Sequence, residues 1–458
     1  MKNDYQKFLE AKRHSIGEFG FEANFIPDCS FDFQKEIIQR AVRKGRIGVF
    51  ADTGLGKTLI QLSIAKNVVN HTNKKVLILT PLAVGFQFIK EAQDRNITDD
   101  IEISKDGRHT KKIVICNYER LHYFDPNDFV GVILDESSIL KNFDGKIKNQ
   151  ITSFIKKIPY RFLSTATPSP NDFIELGTSS EALGYMGYMD MLGKFFKNNQ
   201  NSVDSNNRNI GEKFYLKPHA EKDFFAWVNQ WSIMVKMPSD IGFSNDRYVL
   251  PELIVNKHVV ANNSLLDIDG QLQMFNRPAK NFNEIRHEVK MTINERCEKA
   301  LELAHGKTSV YWVNRNEESS IIRDNDNEAV EIIGSQSIDK KEEILKAFAD
   351  GEIKRIITKA KMTGMGLNWQ YCNHSVFFPT YSYEQYYQAI RRFWRFGQKE
   401  NVTIDMVISD GQTRVIEALE QKTEKAIQLH KNLTENVNRV FEHKTKEFNK
   451  ELIKPKFL

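Results

Sequence analysis

The stretch Gly45-Arg-Ile-Gly-Val-Phe-Ala-Asp-Thr-Gly-Leu-Gly-Lys-Thr58 decides the fold. Its opening, through Phe50, reads as a short buried strand. From Thr58 to about Val69 the sequence carries the leucine and isoleucine spacing of a helix. Strand, glycine loop, Lys-Thr and helix, in that order, form a cradle for nucleotide phosphates. The glycines let backbone N–H groups point at phosphate oxygens, and the helix N-terminus adds a favourable dipole. The cradle residues are Thr53, Gly54, Leu55, Gly56, Lys57 and Thr58. Lys57 is placed to reach the β- and γ-phosphates, and the Thr58 hydroxyl to ligate magnesium. The loop departs from the strict pattern, with Ala51 where the first glycine is usual and an extra glycine at Gly54. Taken alone it also reads as an ordinary strand-to-helix turn.

The 458-residue chain is long enough for two or three domains. Hydrophobic residues make up 40% and charged residues 27%, a globular composition able to bury a sizeable core. The net charge of +5 is compatible with a polyanionic partner without pointing to one. The polar start Met1-Lys-Asn-Asp and the lack of an apolar run near 20 residues argue against a signal peptide or a membrane span. Cys29, Cys116, Cys297 and Cys372 lie far apart, without metal-ligand spacing, and read as reduced thiols of a cytoplasmic protein.

Between Phe31 and Thr167 short apolar runs alternate with helical patterns. The strand candidates are Ile47–Phe50, Val76–Thr80, Ile113–Asn117, Val130–Leu134 and Arg161–Ser164. A second set comprises Ser309–Val313, Val330–Ile333, Arg355–Thr358, Ser375–Phe378 and Val402–Ile408, with helix patterns at Lys340–Asp350 and Tyr383–Phe396. Near-continuous Val, Ile, Leu and Phe runs are expected of parallel sheets buried on both faces, so the chain reads as two α/β lobes. The expected division is an N-terminal segment 1–30, a first lobe 31–250, a second lobe 251–420 and a charged C-terminal helix 421–458. Within the first lobe, 177–247 breaks the rhythm and reads as a mostly helical insertion with a polar tip at Lys197–Arg208. Its aromatics either form a small core of their own or stack on exposed bases.

Three further segments carry chemistry. Val132-Ile-Leu-Asp-Glu136 is a hydrophobic strand ending in two carboxylates, at the sheet edge where ligands collect. Asp135 is placed to hold the magnesium, and Glu136 to orient and deprotonate the attacking water. Ser164-Thr-Ala-Thr-Pro168 ends the next strand, and Thr165 and Thr167 can couple nucleotide state to the lobe interface. Gln388-Ala-Ile-Arg-Arg-Phe-Trp-Arg-Phe-Gly-Gln398 reads as helix, with Arg392 and Arg395 on one side. Arginines presented to a γ-phosphate stabilise the charge of the transferring phosphoryl group. Gln34 precedes the loop at a place where a glutamine can read an adenine edge.

In this order the segments resemble superfamily-two helicases: Gln34, Ala51–Thr58, Thr80-Pro-Leu82, Ile115-Cys-Asn-Tyr118, Leu134-Asp-Glu-Ser137, Ser164–Pro168, Thr358-Lys-Ala360, Gly364-Met-Gly-Leu-Asn368 and Gln388 with Arg392 and Arg395. The loop sequence, Gly366-Leu-Asn368 and Arg395-Phe-Gly-Gln398 look like the Swi/Snf-type double-stranded DNA translocases. Thr165–Asp172, Glu175-Leu-Gly177, Lys236–Gly242, Gly366–Gln370 and Tyr386–Arg392 look like a phage and prophage helicase subfamily. Three departures bear on nucleic-acid preference: Ser137-Ser138 after the acids, Arg391 where a glycine is usual, and the extra Lys361 and Met362.

The resemblance implies two RecA-like lobes facing each other over ATP and Mg²⁺. It adds Gly366 to the nucleotide site and Gln388 to the coupling residues. It places Pro81, Asn117, Tyr118, Asn314, Thr358 and Lys359 against nucleic-acid phosphates. The implied activity is ATP-dependent movement on, or remodelling or unwinding of, duplex or branched DNA in a bacterial or phage-infected cytoplasm. Three alternatives stand beside it: an RNA-directed helicase, an ATP-gated DNA-binding subunit that recruits a nuclease or methyltransferase, and a small-molecule P-loop kinase. No nuclease or methyltransferase motif is visible, so either activity would come from a partner.

Overall fold

The computed structural model describes residues 19–81, 84–198, 214–245, 248–261, 282–360 and 369–448. The chain forms two compact units. One holds the sequence through Pro81, Gly85–Asn245 and the segment from Lys425 onward; the other holds Asp246–Glu424 with 82–84.

The first unit is built on seven strands: β1 (Arg46–Ala51), β2 (Lys75–Thr80), β3 (Ile101–Ile103), β4 (Ile113–Asn117), β5 (Phe129–Asp135), β6 (Tyr160–Ser164) and β9 (Ser232–Val235). Their order across the sheet is β3-β4-β2-β5-β6-β1-β9, and the pairings are parallel. The central strands are apolar along nearly their whole length, which suits a sheet covered on both faces. The helices are α1 (Asp32–Lys44), α2 (Lys57–Thr72), α3 (Gly85–Asp94), α4 (Lys146–Ile155), α5 (Glu175–Leu183), α6 (Tyr188–Phe195) and α7 (Glu221–Trp231). Parallel strands bring their carboxyl ends to one edge, so the loops after β1, β5 and β6 are neighbours there.

The stretch read as an insertion contributes to this core. β9 pairs with β1, and the backbone N–H of Asp52 donates to the Val235 carbonyl at 2.9 Å. The aromatics of α6 and α7 form neither an isolated core nor an exposed stacking surface. Phe195, Phe224, Trp227 and Trp231 pack ring against ring, and Trp231 meets Phe50 of β1 edge to face at 6.2 Å. They share one cluster with Leu77, Val132 and Leu163 of the sheet. Aromatic area is worth more buried against a sheet than left around a loop. β7 (Phe196–Asn198) and β8 (Phe214–Leu216) pair antiparallel as a short ribbon. The polar tip expected at 197–208 lies, from residue 199, outside the described residues.

The second unit has a six-stranded sheet of β10 (Leu253–Val260), β11 (Ser309–Trp312), β12 (Ala329–Glu331), β13 (Arg355–Thr358), β14 (His374–Phe377) and β15 (Val402–Ser409). The order is β10-β15-β14-β11-β13-β12, again with parallel pairings. Its helices are α8 (Phe282–Met291), α9 (Ile293–Ala304), α10 (Asn316–Asn325), α11 (Ile338–Ala349) and α12 (Tyr383–Ile390). The last helix, α13 (Thr413–Phe448), passes from this unit into the first, where Leu429 and Leu433 are buried in the sheet's aromatic cluster. There the Asn229 amide donates to the Leu433 carbonyl, and His430 meets the Asp240 carboxylate at 2.9 Å. Among the described residues, no helix is long and apolar enough to cross a membrane.

Candidate active site

The phosphate loop runs from the end of β1 into α2. Gly56 caps that helix at φ 80°, and Gly54 also has positive φ. A Cβ on Gly56 would lie 2.3 Å from the Gln34 amide nitrogen, so both backbone angle and space demand glycine there. Gln34 is buried. Its Nε2 donates to the Leu55 carbonyl at 2.9 Å, and its Oε1 accepts the Phe31 N–H at 3.0 Å. The side chain, expected at the adenine edge, braces the phosphate loop through these two contacts. Thr53 closes a turn on the Asp52 carboxylate, and the Lys57 ammonium donates to the Ala51 carbonyl at 3.1 Å. Lys57 thus lies across the loop, and Thr58 follows it in the first turn of α2.

The acid pair ends β5. Glu136 has φ 52° and ψ 53°, and caps a short 3₁₀ helix at Ser137–Lys141. The other non-glycine residues of positive φ among those described are both asparagines, which tolerate that conformation. A glutamate held there carries strain of about 1–3 kcal/mol, a device found at functional sites. Its carboxylate accepts the Thr165 hydroxyl at 2.6 Å and the Ser138 hydroxyl at 3.2 Å. The same Thr165 oxygen accepts the Thr167 N–H at 3.0 Å. The segment after β6 and the Glu136 carboxylate are therefore in direct hydrogen-bond contact through Thr165.

Asp135 is held from two sides. Its Oδ1 accepts the Gln61 amide at 2.8 Å, and its backbone carbonyl accepts the Tyr118 hydroxyl at 2.6 Å. Burial at the sheet edge, with Glu136 beside it, pushes the Asp135 carboxyl up to about 6, against the pull of Gln61 and Lys57. Burial likewise pushes the Tyr118 phenol upward. Tyr118, which the resemblance sets among the nucleic-acid contacts, is buried, and its hydroxyl donates to the acid strand. Asn117 and Pro81 stand at the ends of β4 and β2, on the same sheet edge.

The Asp135 carboxylate, the Thr58 hydroxyl and the oxygens of a bound nucleotide would be the hard oxygen ligands that magnesium takes. The Asp135 carboxylate, with its two oxygens, has acceptor sites beyond the Gln61 contact. The donor set therefore fits the ion.

In the second unit, α12 ends at Ile390 with Arg391 as its cap, and 391–397 turns tightly. Arg392 and Arg395 therefore do not share a helix face, contrary to the continuous helix expected through Phe396; Gln388 remains on the helix. The turn is enforced by Gly397 at φ 95° and by Gln398. The Gln398 amide donates to the carbonyls of Gln370, Cys372 and Phe393, and its oxygen accepts the N–H groups of Lys399 and Glu400. Arg391, in place of the usual glycine, packs its guanidinium over Trp394 at 4.4 Å and Tyr387 at 5.2 Å.

Asn314 follows β11 and donates to the Phe378 and Pro379 carbonyls after β14. Thr358 ends β13, and Lys359 donates to Asn316 at 2.6 Å. Gly366 lies outside the described residues.

Sequence reasoning missed Gln61, which in a helix pattern passes for a polar face. It also missed Glu318, whose carboxylate accepts the backbone N–H groups of Asn314 and Arg315 and pairs with buried Arg296 at 3.0 Å. A glutamate three residues into α10 is the legible sign of such a cap.

Two family models match in chain order, DEAD/DEAH box helicase over residues 31–175 and helicase conserved C-terminal domain over residues 289–397. Together they take in more than half of the chain. The chain belongs to the superfamily-two helicases, a class of ATP-hydrolysing enzymes.

Among curated proteins it is similar to an uncharacterized ATP-dependent helicase of Bacillus subtilis (strain 168), YqhH, with 27% identity over 184 residues. That match takes in 38% of this chain and 33% of the relative, about a third of the relative's length. Among solved structures it is similar to the Sulfolobus solfataricus SWI2/SNF2 ATPase core in complex with dsDNA. The identity is 17% and the TM-score 0.42, over 90% of this chain and 96% of that one.

Proposed function

We propose that the protein is an ATP-driven DNA translocase that moves along or remodels duplex or branched DNA. The observation that carries the ATPase half is the Thr165–Glu136 hydrogen bond, which joins the water-activating carboxylate to the coupling segment. The Swi/Snf-type signatures in the phosphate loop and at Arg395–Gln398 support DNA over RNA. The relative's description as an ATP-dependent helicase agrees with the energy source.

In this reading Lys57 and the loop N–H groups hold the β- and γ-phosphates. Thr58 and Asp135 hold Mg²⁺, which when bound neutralises developing phosphate charge. Glu136 accepts a proton from the attacking water. Arg392 and Arg395 stabilise the transferring phosphoryl group. Asn117, Pro81, Asn314, Thr358 and Lys359 grip phosphates of the strand in a salt-sensitive, sequence-independent way.

The test is ATPase rate with single-stranded DNA, duplex, forked DNA and RNA, followed by displacement of a short strand from the best activator. Stimulation by duplex or forked DNA is expected. Stimulation by RNA alone would make the protein an RNA-directed helicase instead.

A further inference from the structure

α2 buries three polar side chains, of which Ser63 donates to the Leu59 carbonyl and Asn67 to the Ser63 and Phe25 carbonyls, while Gln61 alone reaches the acid strand. Leu59, Ile60, Leu62, Ile64, Ala65 and Val68 are buried apolar side chains, yet Gln61 lies among them at 2% exposure. Burying an amide is costly unless it is hydrogen-bonded. The two ends of this one are unequal. Nε2 donates to Asp135 Oδ1 at 2.8 Å and to Ser164 Oγ at 3.1 Å, whereas Oε1 is buried without a hydrogen-bond partner among the described residues. An NH₂ group has two hydrogens, one for each acceptor. The donor end is what the fold keeps.

Position sharpens the point. Gln61 follows Lys57 by four residues, so one face of α2 carries both the phosphate cation and the amide. Asp135 and Ser164 are register partners on β5 and β6. Their successors, Glu136 and Thr165, are joined by the 2.6 Å hydroxyl–carboxylate bond. Two adjacent rungs thus connect the acid strand to the coupling segment, and Gln61 closes the first.

We propose that Gln61 is a positioning residue that fixes the rotation of the Asp135 carboxylate for Mg²⁺–nucleotide and, through Ser164, ties that rotation to the Thr165 segment. A carboxylate held by one oxygen directs the rest of its acceptor capacity. Partners that orient metal-ligating groups typically change metal affinity or activity by about 10–100-fold when removed. The proposal rests on the ATPase reading above.

The experiment titrates Mg²⁺ against binding of a fluorescent non-hydrolysable ATP analogue by the full chain, with steady-state ATPase measured in parallel. In Gln61→Met, which keeps the volume and removes the donor, the Mg²⁺ concentration for half-maximal binding is expected to rise about tenfold. Analogue binding in EDTA should stay at the wild-type level, because the loop and Lys57 are untouched. At saturating Mg²⁺ kcat should fall more than KM for ATP changes. Ser164→Ala keeps the Asp135 bond and should leave Mg²⁺ half-saturation near wild type while lowering kcat.

If Gln61→Met does not fold by circular dichroism, Gln61→Asn, too short to reach Asp135, carries the same expectation. A folded variant with wild-type Mg²⁺ half-saturation overturns the assignment of Gln61. So does a Ser164→Ala shift as large as that of Gln61→Met, since a generic packing loss would then explain both. A wild-type chain without any Mg²⁺-dependent nucleotide binding overturns the ATPase reading itself.

Discussion

Replacing Arg296 by methionine removes the cation from an ion pair in which both side chains are 1% exposed. Taking away one partner of a buried pair usually costs about 3–5 kcal/mol, because the remaining charge is stranded. Glu318 would not be entirely stranded, since the N–H groups of Asn314 and Arg315 still donate to it at 2.9 and 3.0 Å. That places the charge contribution at the low end, about 3 kcal/mol. Arg296 also donates to the Val289 carbonyl and the Thr292 hydroxyl, and a lost hydrogen bond of this kind adds about 1 kcal/mol.

For a unit of this size a loss of about 4–5 kcal/mol lowers the unfolding midpoint by about 8–20 °C. Adding Glu318→Gln removes the buried charge and keeps an acceptor for the two N–H groups. The double variant should therefore regain about half of the loss. The assay is thermal unfolding with hydrogen exchange read separately over the two units, because a two-unit chain does not melt as one state. The effect should be confined to the second unit, with exchange quickened at 314–318 and in α9. A midpoint shift under about 2 °C, or a double variant no more stable than the single, would refute the reasoning.

Other outcomes follow from the same geometry. Thr165→Val removes the hydroxyl 2.6 Å from Glu136 without loss of volume. It should leave Mg-ATP binding intact and slow single-turnover hydrolysis by about tenfold, a fraction of the 10²–10⁴ a general base supplies. Arg392→Ala and Arg395→Ala should bind nucleotide normally and lose hydrolysis, by up to about 10³-fold for the more important of the two. Equilibrium binding and phosphate release separate the two effects.

Mg²⁺-dependent nucleotide binding should weaken as pH falls through about 6, where burial and Glu136 place the Asp135 proton. The metal needs the ionised form, so each further pH unit should cost about tenfold in affinity. The folded chain holds this proton more tightly than the unfolded one. The contribution of Asp135 to stability therefore falls as pH rises from the ordinary carboxyl range through about 6. Calorimetric Mg²⁺ titrations between pH 5 and pH 7.5 check the binding limb.

The strand–loop–helix at Arg46–Thr72 was legible because a buried strand, paired positive-φ glycines and Lys-Thr leave one local conformation. The acid pair and Thr165 were legible for a similar reason, each ending a continuous apolar strand. β9 was hidden because its four residues directly follow Trp231, so the apolar run reads as one helix. The aromatics of α6 and α7 look like an autonomous element in sequence. Only tertiary pairing of β9 with β1 turns them toward Phe50. The helix end at Ile390 was masked by Phe393 and Trp394, which continue an apolar period through residues that in fact form a turn. Gln61 shows the limit most directly. Helix propensity tolerates glutamine anywhere, and nothing local reveals that its partners are 74 and 103 residues away.

The most direct measurement is a comparison of wild type and Glu136→Gln in the presence of duplex DNA, with Mg-ATP binding and steady-state hydrolysis measured on the same preparations. The glutamine retains an acceptor for the Thr165 hydroxyl and can hold water without taking its proton. Wild-type affinity for Mg-ATP with hydrolysis reduced by at least about 10²-fold is the expected result. Turnover at the wild-type rate in Glu136→Gln would contradict it and remove this carboxylate from the chemical step.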